Sequence, residues 1–358
     1  MQVTIDSSTI QEALRVALRL SPPVSGNVTL SSDGARLTMH STADLSRCSI
    51  VLPCEVTGKA FFAIGTEALR DATKGHEQMT MVYDKTMLNI KSGRYSASLT
   101  TVDAIAMEEQ KEEKGDSWKL SVEQAQWLKS AVSTVALKPT ANVTAFMPIS
   151  VKLSDRGAFV ACYDNLHMAF TNDKEVKGEL DVTLPLETFN AVLDTFNKLP
   201  FKMTVTPSSL LVKNKLVDVA LSLPATEDDS QITTDAVMGK AKEALKADGT
   251  QIEVSKADIQ AFLENAKAVA TKERSEILCT TEAGKLTLVV KTTNGTSKST
   301  LKAAVKGKNS FNVDYEFLQE AVAKCPESVV LKVVADAFLC LSTKANTHVL
   351  VSLNQQSE

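Results

Sequence analysis

The chain has 358 residues, 44% of them hydrophobic and 23% charged, with a formal net charge of −4. This is the composition of a globular protein of roughly two to three domains. Its acidity argues against a surface that coats nucleic acid throughout, while leaving room for a basic stripe on one face. No stretch approaches the roughly 18 apolar residues of a membrane span, and the opening MQVTIDSSTI has neither the basic nor the apolar part of a leader, so a cytoplasmic protein is expected.

The first predicted element is a short strand ending at Ile5, followed by the amphipathic helix of SSTIQEALRVAL. NVTLSSDGARLTMHS then reads as a hairpin turning at Asp33-Gly34. A second strand-to-helix junction follows in FFAIGTEALRDATKG, and further strands turn near Asp84-Lys85 and Ser92-Gly93. The charge run MEEQKEEKGDS, residues 107–117, reads as a linker.

Four more junctions lie beyond it, in WKLSVEQAQWLKSAV, LDVTLPLETFNAVLDTF, IEVSKADIQAFLENAK and FNVDYEFLQEAVAK. Their hairpins turn at Asp155-Arg156-Gly157, near Ala283-Gly284 and near Asn294-Gly295. A polar connector opens with ATEDDSQ at residues 225–231, and its VMGKAKEALKA reads as one exposed helix.

The last strand residues of the six junctions are Ile5, Ile64, Leu120, Leu184, Val254 and Val313, so the gaps are 59, 56, 64, 70 and 59 residues. Six like units at that spacing make three repeats of two halves. The expected fold class is α+β, with three repeated domains that each pack two helices on antiparallel sheets. The domains are expected at 1–112, 116–226 and 250–358, with 227–249 as a connector.

No catalytic or metal constellation emerges. The histidines at 40, 76, 167 and 348 are scattered, and the six cysteines show no CxxC spacing, which suits buried reduced thiols. Phosphate-cradling glycine loops and nucleophile elbows are absent from the sequence. Glu67, Glu123, Glu187, Asp258, Asp314 and Glu316 fall in first helical turns, where they complement the helix dipole. Neither an enzyme nor a cofactor is expected.

Basic residues recur late in the six helices or just beyond them: Arg15, Arg19, Arg70, Lys74, Lys129, Lys138, Lys198, Lys267, Lys272, Arg274 and Lys324. Cations there complement helix C-termini and keep a surface soluble. If the helices share one surface, the same cations form a phosphate-binding face for DNA. Charge counting does not separate the two readings, because the charges on the six helices cancel.

Three two-part α+β repeats without catalytic residues resemble the DNA sliding clamps that make replicative polymerases processive. Local matches resemble the bacterial type. LNIKSGRYSASLTTVDA is similar to that family's "SGR…SLST" stretch, CYDNLHMAF to its "TDGHRLAV" turn, and NSFNVDYEFLQEAVAK to its "GFNVSYVLDVLNAL" helix start.

Departures accompany the likeness. Asp164-Asn165-Leu166-His167 stands for the family's "DGHR", the tail VLVSLNQQSE ends in a polar extension, and the connector is longer. A divergent member, such as a viral (phage) clamp, would show these.

The resemblance implies a head-to-tail homodimeric ring around double-stranded DNA, with a DNA polymerase and a clamp loader as partners. It implies a subunit interface at Ala97, Leu99, Ala268 and Val269. It also implies a partner-peptide pocket at Phe146, Tyr163, Leu166, Met168, Pro224, Val349, Val351 and Leu353. Two alternatives remain open: a processivity factor that binds DNA without encircling it, and a structural or assembly protein built of β-rich repeats.

Overall fold

The computed structural model describes residues 1–43, 46–105, 114–138, 147–164, 166–223, 233–270, 275–325, 327–334, 338–342 and 347–353. The first segment runs β1 (Gln2–Asp6), α1 (Ser7–Leu20), β2 (Asn27–Asp33), β3 (Leu37–Thr42), β4 (Ser46–Leu52), β5 (Glu55–Thr57), β6 (Lys59–Gly65), α2 (Thr66–Thr73), β7 (Gln78–Tyr83), β8 (Met87–Ser92) and β9 (Tyr95–Val102). The second runs β10 (Asp116–Leu120), α3 (Val122–Val135), β11 (Pro148–Ser154), β12 (Gly157–Tyr163), β13 (His167–Asp173), β14 (Leu180–Pro185), α4 (Leu186–Phe196), β15 (Phe201–Val205), β16 (Ser209–Lys213) and β17 (Val217–Ser222). The third opens with α5 (Thr234–Lys246) and continues β18 (Gly249–Ser255), α6 (Lys256–Ala266), β19 (Glu276–Glu282), β20 (Lys285–Thr292), β21 (Gly295–Lys306), β22 (Asn309–Asp314), α7 (Tyr315–Lys324), β23 (Ser328–Val334), β24 (Phe338–Ser342) and β25 (Thr347–Ser352).

The repeat is visible in the backbone. Ser7 N–H donates to the Glu77 carbonyl just before β7, and Thr66 N–H to Gly26 just before β2. Leu186, Lys256 and Tyr315 donate in the same way to Met147, Glu327 and Ser275, each the residue ahead of a strand. A strand thus feeds a helix whose first amide, an orphan donor inside the helix, is satisfied by a neighbouring strand's start. In α3 a reciprocal cap serves instead: Ser121 N–H donates to Gln124 Oε1 (2.9 Å), and Gln124 N–H to Ser121 Oγ (3.2 Å).

Two of the hairpins turn where glycine supplies positive φ. Gly34 (φ 101°) closes β2–β3 and Gly157 (φ 123°) closes β11–β12. A Cβ at Gly157 would lie 2.5 Å from the Asp173 carbonyl oxygen, so no other residue fits that turn.

The chain forms two compact units, Met1–Gln126 with Asn190–Asp229, and Trp127–Phe189 with Ser230–Glu358. In the first, one antiparallel sheet runs in the order β10-β15-β16-β17-β4-β3-β2-β6-β9-β8-β7-β1-β5. Helix α1 buries Ile10, Ala13, Leu14, Ala17 and Leu20, an i, i+3, i+4, i+7 stripe, and keeps Glu12, Arg15 and Arg19 off it. Helix α2, whose Leu69 is fully buried, is among its neighbours. Each such buried leucine stabilises by about 1.5–3 kcal/mol.

The second unit's sheet runs β14-β11-β12-β13-β25-β24-β23-β18-β21-β20-β19-β22. Ile259 and Phe262 of α6 and Leu318 of α7 are fully buried beside it. Among the described residues no helix is long and apolar enough to cross a membrane.

The connector helix differs from expectation. The exposed helix read from VMGKAKEALKA is α5, and it is half-buried. Its Val237, Ala241 and Ala244 pack on Phe159, Ala161, Tyr163, Met168, Phe170 and Leu350 of the sheet. Small side chains let the helix lie close to strands that already offer a large apolar face.

Candidate functional site

The basic residues fall into three situations. Arg15 and Arg19 of α1 and Arg70 of α2 carry carboxylate partners. Arg15 makes a bidentate pair with Glu12 (2.7 and 2.8 Å), which raises the guanidinium pKa and lowers the carboxyl pKa. Arg19 pairs with Asp194 of α4, and Arg70 lies 3.7 Å from Glu67 and 3.6 Å from Asp71. All three arginine side chains are 40–48% exposed. Such pairs contribute about 0–1 kcal/mol, so an arriving phosphate can take the cation at small cost.

Lys74, Lys129, Lys138, Lys198 and Lys267 are exposed. Lys74 and Lys267 stand at the C-caps of α2 and α6, where the dipole favours them. Lys324 is different. Its ammonium donates to the Thr134 (3.1 Å) and Ala136 (2.5 Å) carbonyls, closing the C-terminus of α3. Burial lowers its pKa. Lys272 and Arg274 lie outside the described residues.

Beside Lys324 is a buried ionic cluster. Asp164 Oδ1 accepts the backbone N–H of Leu166 (2.7 Å) and His167 (2.8 Å) in an Asx turn. The His167 ring is stacked on Phe317 of α7, with centroids 4.5 Å apart. Nδ1 lies 2.7 Å from Asp164 Oδ1, and Nε2 lies 3.8 Å from Glu320 Oε2. Glu320 Oε1 also accepts the Lys138 N–H (2.8 Å).

Burial opposes both charges, yet the facing partners prevail: the His167 pKa is raised and the Asp164 pKa lowered. With its side chain 2% exposed, His167 has no route to a substrate. The cluster fastens β13, α7 and the end of α3. Sequence reading missed it because Glu320 stands far along the chain, and only the local Asp-x-x-His spacing hinted at half of it.

The eight residues of the expected pocket are divided. Tyr163 and Met168 sit opposite one another on β12 and β13, and Leu350 of β25 pairs with Met168. All three face α5 and are covered by it. Val349 and Val351 pair with Ala169 and His167, so they lie on the other face of the same sheet, 1% and 0% exposed. Leu166 is half-buried in the turn, and Leu353 is 9% exposed after β25. Phe146 and Pro224 lie outside the described residues.

Ala97 and Leu99 are half-buried on β9. That strand pairs with β8 over residues 95–100 and with β6 only at Thr101 and Val102. Residues 95–100 therefore present an edge with no strand partner among the described residues. The corresponding strand of the second unit does likewise: β21 pairs with β20 over 295–302 and with β18 only over 303–306. Ala268 is exposed and Val269 half-buried, and the Val269 carbonyl accepts Thr292 Oγ1 (2.7 Å) at the end of β20.

Repeated strand–helix units, two long antiparallel sheets and unpaired edge strands define a clamp-type α+β architecture. The chain has the fold of bacterial DNA polymerase sliding clamps. The DNA polymerase III beta subunit of Thermotoga maritima superposes with a TM-score of 0.76 at 13% identity, covering 99% of this chain and 100% of that one. The DNA polymerase III subunit beta of Pseudomonas aeruginosa gives 0.76 at 12%, with the same coverage. The sliding clamp of Bartonella birtlesii, bound to griselimycin, gives 0.75 at 13%, again over 99% and 100%. No protein-family model and no curated protein matches the sequence.

Proposed function

We propose that this chain is a DNA sliding clamp, a cytoplasmic, non-enzymatic ring that encircles duplex DNA and tethers a replicative polymerase. The supporting observation is the full-length fold match: 99% of this chain covers 100% of a polymerase III beta subunit. In this reading the modules are 1–112, 116–226 and 250–358, and two chains close a ring head to tail.

The open edge of β9, with Ala97 and Leu99, would pair with the open edge of β21 in the partner, near Ala268 and Val269. The exposed helix cations would touch phosphates without reading bases, which gives salt-dependent attraction and free sliding. A clamp loader would open the ring, and polymerase peptides would dock near Leu166 and Leu353.

Sedimentation and retention test the reading together. The chain is expected to sediment at twice its 38.6 kDa mass. After loading it should stay on nicked circular DNA and run off the same DNA once linearised. A monomer at micromolar concentration, or equal retention on both forms, would refute the ring.

A further inference from the structure

Helix α5 crosses the sheet of the second unit. Its first turn is tied to β11 and β14 through Asp235, Lys152 and Asp181, and its last turn to β23 through Lys332, whose ammonium donates to the Leu245 carbonyl (3.0 Å). On one flank it covers Tyr163 and Met168. On the other flank, toward the β11–β12 hairpin and the end of β13, it leaves a cleft of about 590 Å³.

Phe159 and Phe170 lie at the base of this cleft, and Met238 and Leu245 form its helical wall. Both wall residues are only partly buried, although they pack against the core beneath. They stand two turns apart, beside the buried stripe of Val237, Ala241 and Ala244.

Arg156, Lys174 and Lys242 rim the cleft and are exposed. The carboxylates among them are mostly engaged. Asp235 holds Lys152, and Asp173 accepts Trp127 Nε1 (3.1 Å) and the Glu175 N–H (2.9 Å). These neutral N–H donors leave Asp173 charged, so with Lys152 taken by Asp235 the rim sets Asp155 and Asp173 against Arg156, Lys174 and Lys242 and stays net positive.

We propose that this cleft is a docking site for a short acidic peptide carrying a large apolar side chain. The Met238–Leu245 wall is about 10 Å long at 1.5 Å per helical residue, which matches roughly three residues of extended chain. The volume falls in the range of about 300–1,000 Å³ typical of ligand-binding clefts. The rim charge selects acidic flanks over basic ones. The cleft lies toward the β11–β12 hairpin and the far end of β13, whereas Tyr163 and Met168 lie by the β12–β13 turn, and it does not depend on the clamp reading.

The test is fluorescence anisotropy on the full chain with fluorescein-labelled Glu-Asp-Leu-Phe-Asp, against the same peptide with lysine at each acidic position. The acidic peptide is expected to bind saturably and at least tenfold more tightly than the basic one. Arg156→Glu with Lys242→Glu should weaken it at least tenfold and reverse the preference, without moving the thermal unfolding curve. Met238→Ser should weaken both peptides.

Absence of saturable binding, equal binding of the two peptides, or indifference to the double substitution would each overturn the proposal. So would displacement of the peptide by a short DNA duplex, which would make the rim a nucleic-acid face. Retention on circular DNA is not expected to change with these substitutions, so the two readings fail separately.

Discussion

Neighbouring residues of β13 meet different helices. His167 points to α7 and stacks on Phe317, whereas Met168 points to the other face and lies under α5. Helix α7 enters the core with Tyr315, Phe317, Leu318 and Val322 and is capped by Asp314, whose carboxylate accepts the Glu316 and Phe317 amides. Helix α5 buries only Thr234, Val237, Ala241 and Ala244 and carries ionic and hydrogen-bond anchors at its two ends. One helix is part of the repeat's core, and the other is laid upon a finished sheet. The two helices thus differ in the bulk of the side chains they bury, and they should respond differently to substitution.

The largest difference is expected at the ionic cluster on the α7 face. His167→Ala removes the stack on Phe317 and leaves Asp164 and Glu320 facing each other without their shared cation. Breaking a buried pair in this way costs about 3–5 kcal/mol. Urea titration of the full chain checks it.

The cluster also sets a pH window. The His167 pKa is raised from its ordinary 6.5, so its contribution is complete below about 6.5 and is lost as pH rises through the folded value. The Asp164 pKa is lowered from 3.8, so its contribution is present above that value and is lost as pH falls through the folded one. Between these limits stability should be flat, and His167→Gln should abolish the alkaline decline. If the decline persists in that variant, another group sets it.

Next comes packing. Leu318→Ala, at a fully buried α7 position, is expected to cost about 2–5 kcal/mol. Val237→Ala in α5 removes less buried volume, at a site the helix can settle into, and is expected to cost about 1–2 kcal/mol. Hydrogen exchange sharpens the contrast: the α5 amides should open well below the global unfolding free energy, whereas those of α7 should open with it. Equal protection in the two helices would show that α5 is as integral as the repeat itself.

Much of this architecture could be read from the sequence, for physical reasons. A strand ending in a short helix start is a local signal, so Ile5, Ile64, Leu120, Leu184, Val254 and Val313 lie within about a residue of the observed strand ends. The Asp-Gly and Asn-Gly turns depend on single glycines.

The burial of α5 was not legible, since Ala241 and Ala244 among lysines look solvated until a sheet of aromatic side chains is placed beneath them. The facing of β25 was hidden as well. Val349, Leu350 and Val351 form a consecutive apolar run, which does not show which way each of them points. The clustering of His167 with Glu320 is a product of folding alone.

The smallest expected effect concerns the end anchors of α5. Lys152 bridges Asp181 (2.8 Å) and Asp235 (2.9 Å), and both carboxylates raise its pKa. The two acids are 49% and 68% exposed, so water screens much of the attraction. Exposed pairs of this kind contribute at most about 1 kcal/mol. Lys152→Ala should therefore leave the global urea midpoint almost unchanged, yet raise the exchange rate of the first α5 amides by up to about fivefold and more at low salt than at high. A Lys152→Ala effect as large as that of Val237→Ala would mean that the anchors, rather than the buried stripe, keep this helix on the sheet. The contrast with α7 would then be one of mechanism and not merely of degree.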